Sequence, residues 1–401
     1  AEFTVADNER IVRKSLLVCF LLRRNVFEFN HIGSFMQKYD KISITEKKPV
    51  LLQINSKKMT YQRTVLPAEW HQQMCVQMTW PHKDTDWAPY LNKITATMTE
   101  IADAITRYEA LIIASEYPEA TLLALSEKLT REQMARVSII NCPTNDTWAR
   151  DHGGITLIDN DGSTTILDFR FNGWGRKFEA SKDNLITKAL HSEGLIHGKL
   201  EDNNDFVLEG GAIESDGCGT VFTTSQCLMA PNRNQPLTQE EIEKELKERL
   251  HAERIVWLNN GNLIGDDTDG HIDTIVRICP DDTILYVQST CPDNEQHNDF
   301  TALEEELKQL RTAKGKPYRL LPLPMPRPIY YDGEQLPATY ANFLVINGAV
   351  IVPVYGQDDL DRQACNTIKA VFPERDLIPI DSNIIIRQHG SIHCLTMQYP
   401  K

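Results

Sequence analysis

Apolar side chains at Leu91, Ile94, Met98, Ile101 and Ile105 follow a 3.6-residue period. That spacing predicts a helix over 91–105 with one buried face. Similar stripes predict helices over 238–250 (Ile242, Leu246, Leu250), 300–310 (Leu303, Leu307, Leu310) and 360–371 (Leu360, Ala364, Ile368, Val371). A weaker fifth pattern covers 178–190. Thr238, just before Glu240 and Glu241, reads as an N-cap with acids in the first turn. Strand-turn-strand patterns precede most of these helices. The pairs are 155–158 with 165–169, 211–213 with 220–224, 274–278 with 283–287, and 343–346 with 350–354. Turn residues such as Asn160-Asp161-Gly162 and Asn347-Gly348 separate them. A short apolar run follows the helices at 110–114, 255–258, 320–323 and 377–380, but is poorly defined after 178–190.

The turns recur at roughly 55–65 residues, which reads as a repeat. The unit is strand, strand, helix, strand, about five times over. The first copy has only one clear strand, Cys75–Trp80, and the last stretch, 384–398, looks strand-rich with no helix behind it. Pairing that last stretch with the first strand would close a ring and remove exposed edges. The expected fold is therefore α/β, a five-bladed α/β propeller (the pentein architecture) in one domain over residues 59–401. Residues 1–58 lack this alternation and read as an N-terminal extension without an assigned role.

Charge and cysteines narrow the setting. The chain has 401 residues, with 42 Lys and Arg against 56 Asp and Glu, a net charge of −14. No broad basic face is expected, which disfavours nucleic acid and anionic membranes as partners. An acidic balance is compatible with a cationic substrate, although it also serves solubility. The 9 cysteines form no C-x-x-C pair and are odd in number, so a disulfide scaffold is not expected. A reducing, cytoplasmic setting fits better. No apolar run has bilayer length. The stretch Ser15–Leu22 after Arg13-Lys14 is too short and lacks a cleavage site, so it is not read as a signal peptide.

Four segments carry candidate chemistry. In Gly265–Thr274, a strand would put His271 and Asp273 on one face, able to hold a cation, bind a metal or transfer protons. In Thr147–Gly154, Trp148 offers a flat wall, and Asp151 precedes a strand; an Arg150–Asp151 surface pair is the plainer alternative. Glu209 heads a hairpin before Gly210 and Gly211. Near the C-terminus, His389, His393 and Cys394 fit either a soft-metal site or a cysteine nucleophile. Gly390 and the β-prone residues after it disfavour the helix that a metal pair at i and i+4 needs. In a ring, Asp151, Glu209, His271, Asp273 and Cys394 would converge on the axis. Three carboxylates, an imidazole and a thiol suit a planar cation.

These residues sit in a set of ordered motifs: LPAEW at 66–70, WARDHGG at 148–154, EGG at 209–211, PNRN at 231–234, DDTDGHIDT at 266–274, LPATYANF at 337–344 and IHC at 392–394. From Leu66 to Pro400 the chain resembles the agmatine deiminases and the wider Porphyromonas-type peptidylarginine deiminase family, within the guanidine-modifying superfamily. The resemblance implies the same five-bladed fold. It implies Cys394 as nucleophile, His271 as general acid/base, Asp151 and Asp273 as guanidinium ligands, and Glu209 as an aid to binding and proton handling. Trp148 matches a position lining the substrate pocket. No metal or organic cofactor is implied, and a homodimer is common in the family.

The implied reaction converts agmatine to N-carbamoylputrescine and ammonia through a thiouronium on Cys394. Two departures stand out: Asp269 and Thr274 replace asparagines of the family stretch, and His389-Gly390-Ser391 replaces a glycine-rich run. They leave the far end of the substrate open. An amine end would suit an acid such as Asp267 or Asp86. Free arginine would need a cation such as Arg150, Arg233 or Arg327, and a peptidyl-arginine an open groove. The competing readings are a metallohydrolase using His271, Asp273, His389 and His393, and a silent polyamine-binding protein.

Overall fold

A computed structural model describes residues 63–401 of the chain. The chain divides into two units, Ala1–Lys58 and Met59–Lys401. The extension at 1–58, the 15–22 stretch and Cys19 lie outside the described residues.

Four of the sheets share one plan. An antiparallel hairpin supplies two strands, and a third strand runs parallel to the second. They are β4(Ile155–Ile158)-β5(Thr164–Arg170)-β6(Lys199–Val207), β7(Ile213–Ser215)-β8(Thr220–Thr224)-β9(Arg254–Leu258), β10(Val276–Cys279)-β11(Thr283–Gln288)-β12(Arg319–Pro324) and β15(Leu344–Ile346)-β16(Ala349–Val354)-β17(Asp376–Asp381). A parallel third strand needs a crossover, and the helices 186–192, 239–249, 297–309 and 358–371 lie in those crossovers. The expected repeat is thus present in the described residues as strand, strand, helix, strand.

The remaining large sheet joins the two ends of the described chain. The strand β18(Thr396–Pro400) pairs antiparallel with β1(Gln73–Thr79), and β2(Ala110–Ser115) and β3(Val137–Asn141) follow in parallel. The expected pairing of last segment with first is found. A small hairpin, β13(Ile329–Tyr331)-β14(Glu334–Leu336), stands apart.

The helices pack as their stripes require. Helix Leu91–Thr106 buries Ile94, Met98, Ile101 and Ile105 completely, each contributing about 1.5–3 kcal/mol by removal from water. Helix Gln239–Arg249 opens with a capping box, in which Thr238 Oγ1 accepts from the Glu241 N–H at 3.3 Å and the Glu241 carboxylate accepts from the Thr238 N–H at 2.8 Å. Three apolar clusters fill the space between sheets and helices. Every described cysteine is a free thiol. No described helix is long and apolar enough to cross a membrane.

Several boundaries differ from expectation. His271 and Asp273 do not lie on a strand: Ile272–Thr274 is a 3-10 turn with His271 at its N-cap, and the strand starts at Val276. Gly210–Ala212 is likewise a 3-10 turn. The stretch 384–398 is mostly not strand, since Ile385–Gln388 is 3-10 and only Thr396–Pro400 is extended. The 178–190 pattern resolves into a 3-10 turn at Asp183–Leu185 and a helix at Ile186–Ser192.

Candidate functional site

The chain reverses just before β18, and Cys394 sits in that reversal rather than on a strand. Asn342 holds the reversal in place: its side-chain oxygen accepts from the N–H groups of His393 at 3.0 Å and Cys394 at 3.3 Å, and lies 3.4 Å from the Cys394 sulfur. Cys394 Sγ is also 3.8 Å from Asp273 Oδ2. Burial, then Asp273 and Asp151, push the thiol well above its usual range. The resting group is a thiol.

Asp273 is held from behind. His393 Nδ1 bonds Asp273 Oδ2 at 2.6 Å, and His393 Nε2 bonds Glu69 Oε2 at 3.0 Å. Arg277 links Glu69 to Glu214, bonding Glu214 Oε1 at 2.7 Å and stacking 4.3 Å over Phe343. Burial would raise the Glu69 carboxyl, but Arg277 and His393 outweigh it and hold it well below its usual range. Asp273 is likewise depressed: burial raises it, and His393 and His271 more than offset that. Its other oxygen, Oδ1, is buried with no hydrogen-bond partner.

Asp151, His271 and Glu209 complete the cluster. Asp151 lies on a short helix, Ala149–His152, before β4. Its Oδ1 accepts from the Gly211 N–H at 3.1 Å, and its Oδ2 accepts from Trp174 Nε1 at 3.0 Å. Trp174 has a left-handed φ of 53°, a conformation costing about 1–3 kcal/mol in a bulky residue. His271 Nδ1 is 3.6 Å from Asp151 Oδ1. Burial would lower the imidazole, but Asp151, Cys227 and Glu209 raise it well above its ordinary value. Burial pushes Asp151 up to about 6 despite His271. Glu209 Oε1 accepts from Arg233 Nε at 3.0 Å, while Oε2 and both His271 nitrogens are buried without a hydrogen-bond partner.

Gly211 explains how these groups come so close. A Cβ there would stand 2.6 Å from His271 Nδ1, 2.8 Å from Asp151 Oδ1 and 3.2 Å from Asp273 Oδ2. The glycine needed after Glu209 is thus a matter of space between three functional side chains. Cys394, Asp273, Asp151, His271 and Glu209 are all at most 3% exposed, so their charges act at low screening.

The other sequence candidates fall differently. Trp148 is buried, donates from Nε1 to Asp146 Oδ2 at 3.0 Å, and packs against Gly390, where a Cβ would come within 2.1 Å of the ring. Asp267 is partly buried, and burial lifts its carboxyl to about 6 although His389 opposes this. Asp86 is exposed, and its carbonyl accepts from Gln388 Nε2 at 2.9 Å. Arg150 and Asp151 form no surface pair: Arg150 is buried and bonds Gln398 and the His393 carbonyl. Arg233 is engaged by Glu209 and Asp269, and Arg327 by Asp359.

The four-residue metallohydrolase set is not assembled. His393 is bonded on both nitrogens to Asp273 and Glu69, and His389 Nδ1 bonds the Gly265 carbonyl at 2.7 Å. Sequence reasoning missed Glu69, Cys227, Arg277, Asn342 and Trp174 as parts of this centre. Glu69 lies in the LPAEW motif, Asn342 in LPATYANF, and Trp174 is an aromatic flanked by Gly173 and Gly175, whereas Cys227 and Arg277 carried no local signal.

The whole arrangement is a buried, carboxylate-rich cluster around a thiol, with an imidazole whose protonated form is favoured beside it, and its chemistry suits a planar cation. A model of the Porphyromonas-type peptidyl-arginine deiminases matches residues 65–400, and the chain belongs to that family. It is a hydrolase acting on guanidino C–N bonds. The Stutzerimonas stutzeri agmatine deiminase is 31% identical over 361 residues, covering 84% of this chain and 95% of the relative. The agmatine deiminase of C. jejuni, solved with substrate bound, is 34% identical with a TM-score of 0.77, covering 84% of this chain and 96% of that one. A Porphyromonas gingivalis protein provisionally named an arginine deiminase is 49% identical with a TM-score of 0.79, covering 84% of this chain and 99% of that one.

Proposed function

We propose that the protein hydrolyses the guanidinium group of agmatine to N-carbamoylputrescine and ammonia. The observation that carries this reading is the pair of unpartnered buried carboxylate oxygens in the Cys394 cluster, Asp273 Oδ1 and Glu209 Oε2. Buried polar atoms without partners are costly, and a guanidinium supplies N–H donors to the carboxylates in one plane.

The chemistry follows from the charges. Asp151 and Asp273 fix the guanidinium and bring its carbon to Cys394. The arriving cation offsets the two carboxylates that hold the thiol protonated, so the thiol gives its proton up to solvent as substrate binds and thiolate forms where it is needed. Attack gives a tetrahedral adduct. His271 donates a proton to the departing nitrogen, ammonia leaves, and the thiouronium remains on Cys394. Water activated by His271 then releases the urea product. Glu209 assists binding and keeps His271 protonated. The five sheets act as blades of one ring whose axis holds the site, and the protein works as a homodimer.

The partners of the candidate cations favour agmatine over free arginine. Arg150, Arg233 and Arg327 are each engaged by the protein's own groups, which leaves none of the three to receive an α-carboxylate. The 49% identity to the P. gingivalis protein favours a second reading, in which the same mechanism acts on free or peptidyl arginine. Ammonia release from agmatine, arginine and a blocked arginyl peptide, with and without EDTA and beside Cys394→Ala, separates these. Turnover of agmatine, indifferent to EDTA and lost in the variant, is the expected result. Turnover of arginine or peptide alone would move the substrate, and silence on all three would sink the deiminase mechanism in favour of a binding protein.

A further inference from the structure

Cys227 has no part in that reaction, yet it lies inside the catalytic cluster. Glu209, Cys227 and His271 each place a donor atom within 4.8 Å of the other two, and all three are fully buried. Cys227 sits on the short helix Ser225–Leu228, where the Thr224 hydroxyl accepts its N–H at 3.2 Å. The same hydroxyl donates to the Gly270 carbonyl at 2.6 Å, which ties the Cys227 helix to the residue before His271. Arg233 holds Glu209 by Oε1 and leaves Oε2 free. Three ligand types thus come from three separately anchored elements.

We propose that Glu209, Cys227 and His271 form a site for a thiophilic divalent cation, with Zn2+ as the fitting ion, whose binding arrests the hydrolase. The binding stands on geometry alone, while the arrest rests on the acid/base role given to His271. Thiolate, imidazole and carboxylate are the three ligand types zinc takes, and a site with three protein ligands keeps a fourth position open. Tetrahedral zinc holds its ligand atoms about 3.3–3.7 Å apart, so the three donor atoms, within 4.8 Å of one another, must close by at most about 1.1–1.5 Å.

The exchange also balances. Zn2+ replaces one proton from the Cys227 thiol and one from the His271 imidazolium, forming Zn–S and Zn–N bonds and releasing two protons. The charge of the pocket beside Arg233 and Asp151 is unchanged. With one lone pair on zinc, His271 keeps only the N–H of a neutral imidazole, too weak an acid to protonate the leaving nitrogen. A second cluster, Glu69, Glu214 and His393, has comparable spacing but is already filled. Arg277 joins its two carboxylates, and both His393 nitrogens are bonded.

The test uses the full chain, stripped with chelator and desalted, titrated first with Co2+ and then with Zn2+. About one Co2+ per chain is expected, with a sulfur-to-cobalt charge-transfer band that Zn2+ abolishes. The band should persist in Cys394→Ser and disappear in both Cys227→Ser and Cys227→Ala, whose folding is checked by thermal melting. Agmatine turnover should fall over the same Zn2+ range and return with EDTA. Each Cys227 variant, normalised to its own activity, should resist at least about tenfold more Zn2+. No band in the wild type, a band surviving loss of Cys227, or a band lost with Cys394 would overturn the site. A band without loss of turnover would overturn the arrest. The binding arms need no turnover, so they stay readable if the substrate reading fails.

Discussion

Replacing Asp273 by Asn should move two properties of the site in opposite directions. The carboxylate oxygen lies 3.8 Å from Cys394 Sγ. At an effective dielectric near 20, a unit charge at that distance raises the cost of ionising the thiol by roughly 4 kcal/mol. His393 shares the same oxygen and takes part of the field, so the thiol pKa should fall by a part of that energy. An amide oxygen still accepts from His393, so the loop geometry should survive. The assay is alkylation of Cys394 by iodoacetamide against pH, read by mass spectrometry on its own peptide because other thiols react too. The midpoint should drop, making the variant thiol more reactive near neutrality. Turnover should nevertheless fall by about a hundredfold or more, because a cation anchor is lost. An unmoved or raised midpoint would refute the electrostatic account of why the resting thiol is protonated.

Two further outcomes test the space and the burial. Gly211→Ala puts a methyl among His271, Asp151 and Asp273, so kcat/KM for agmatine should fall by about a hundredfold or more while the chain still folds; wild-type kinetics in this variant would refute the close approach. Glu109 is buried and pushed up to about 7, so between its unfolded value near 4.5 and pH 7 the folded state holds a proton that the unfolded state releases, and stability falls as pH rises through that window. Urea denaturation of the wild type and Glu109→Gln at pH 5 and pH 8 should show a swing of up to about 3 kcal/mol toward the variant at the higher pH, and an equal difference at both would contradict it.

The sequence was most legible where one face of an element is buried. The stripes of helices 91–106 and 358–371 and the apolar runs that became β2, β9, β12 and β17 were all readable for that reason. β6 was missed because it is half exposed and charged, reading Lys-Leu-Glu-Asp-Asn-Asn-Asp-Phe-Val. Helix Pro118–Ser126 was missed because it buries only Thr121 and Leu125 and shows no stripe. The site was legible as five scattered residues but misplaced locally. Asp269 and Gly270 take positive φ, and the Asp266 side chain accepts from the Thr268 and Gly270 N–H groups, which ends any strand before His271. The supporting roles were not legible: Arg277 lies outside every quoted motif, and Glu69 and Asn342, although inside LPAEW and LPATYANF, reach the site only across long separations in the chain.

Those supporting residues decide how two similar carboxylates come to differ. Asp273 and Asp151 are both buried at the same thiol, and burial raises each. Asp273 backs onto His393, Glu69 and Arg277, and that network returns it to a low pKa. Asp151 receives one peptide N–H and one indole N–H, with His271 as its nearest cation, and stays at about 6. One carboxylate is therefore a fixed anion, while the other is sensitive to the charge on its imidazole neighbour. Such a split between paired groups is how acid and base roles are kept apart in one pocket. It also gives a reason for Arg277 being stacked on Phe343 and shared between two acids: the chain supplies its own guanidinium to anchor the network behind Asp273, while Asp273 Oδ1 keeps no partner, the atom that the proposed mechanism assigns to the substrate guanidinium.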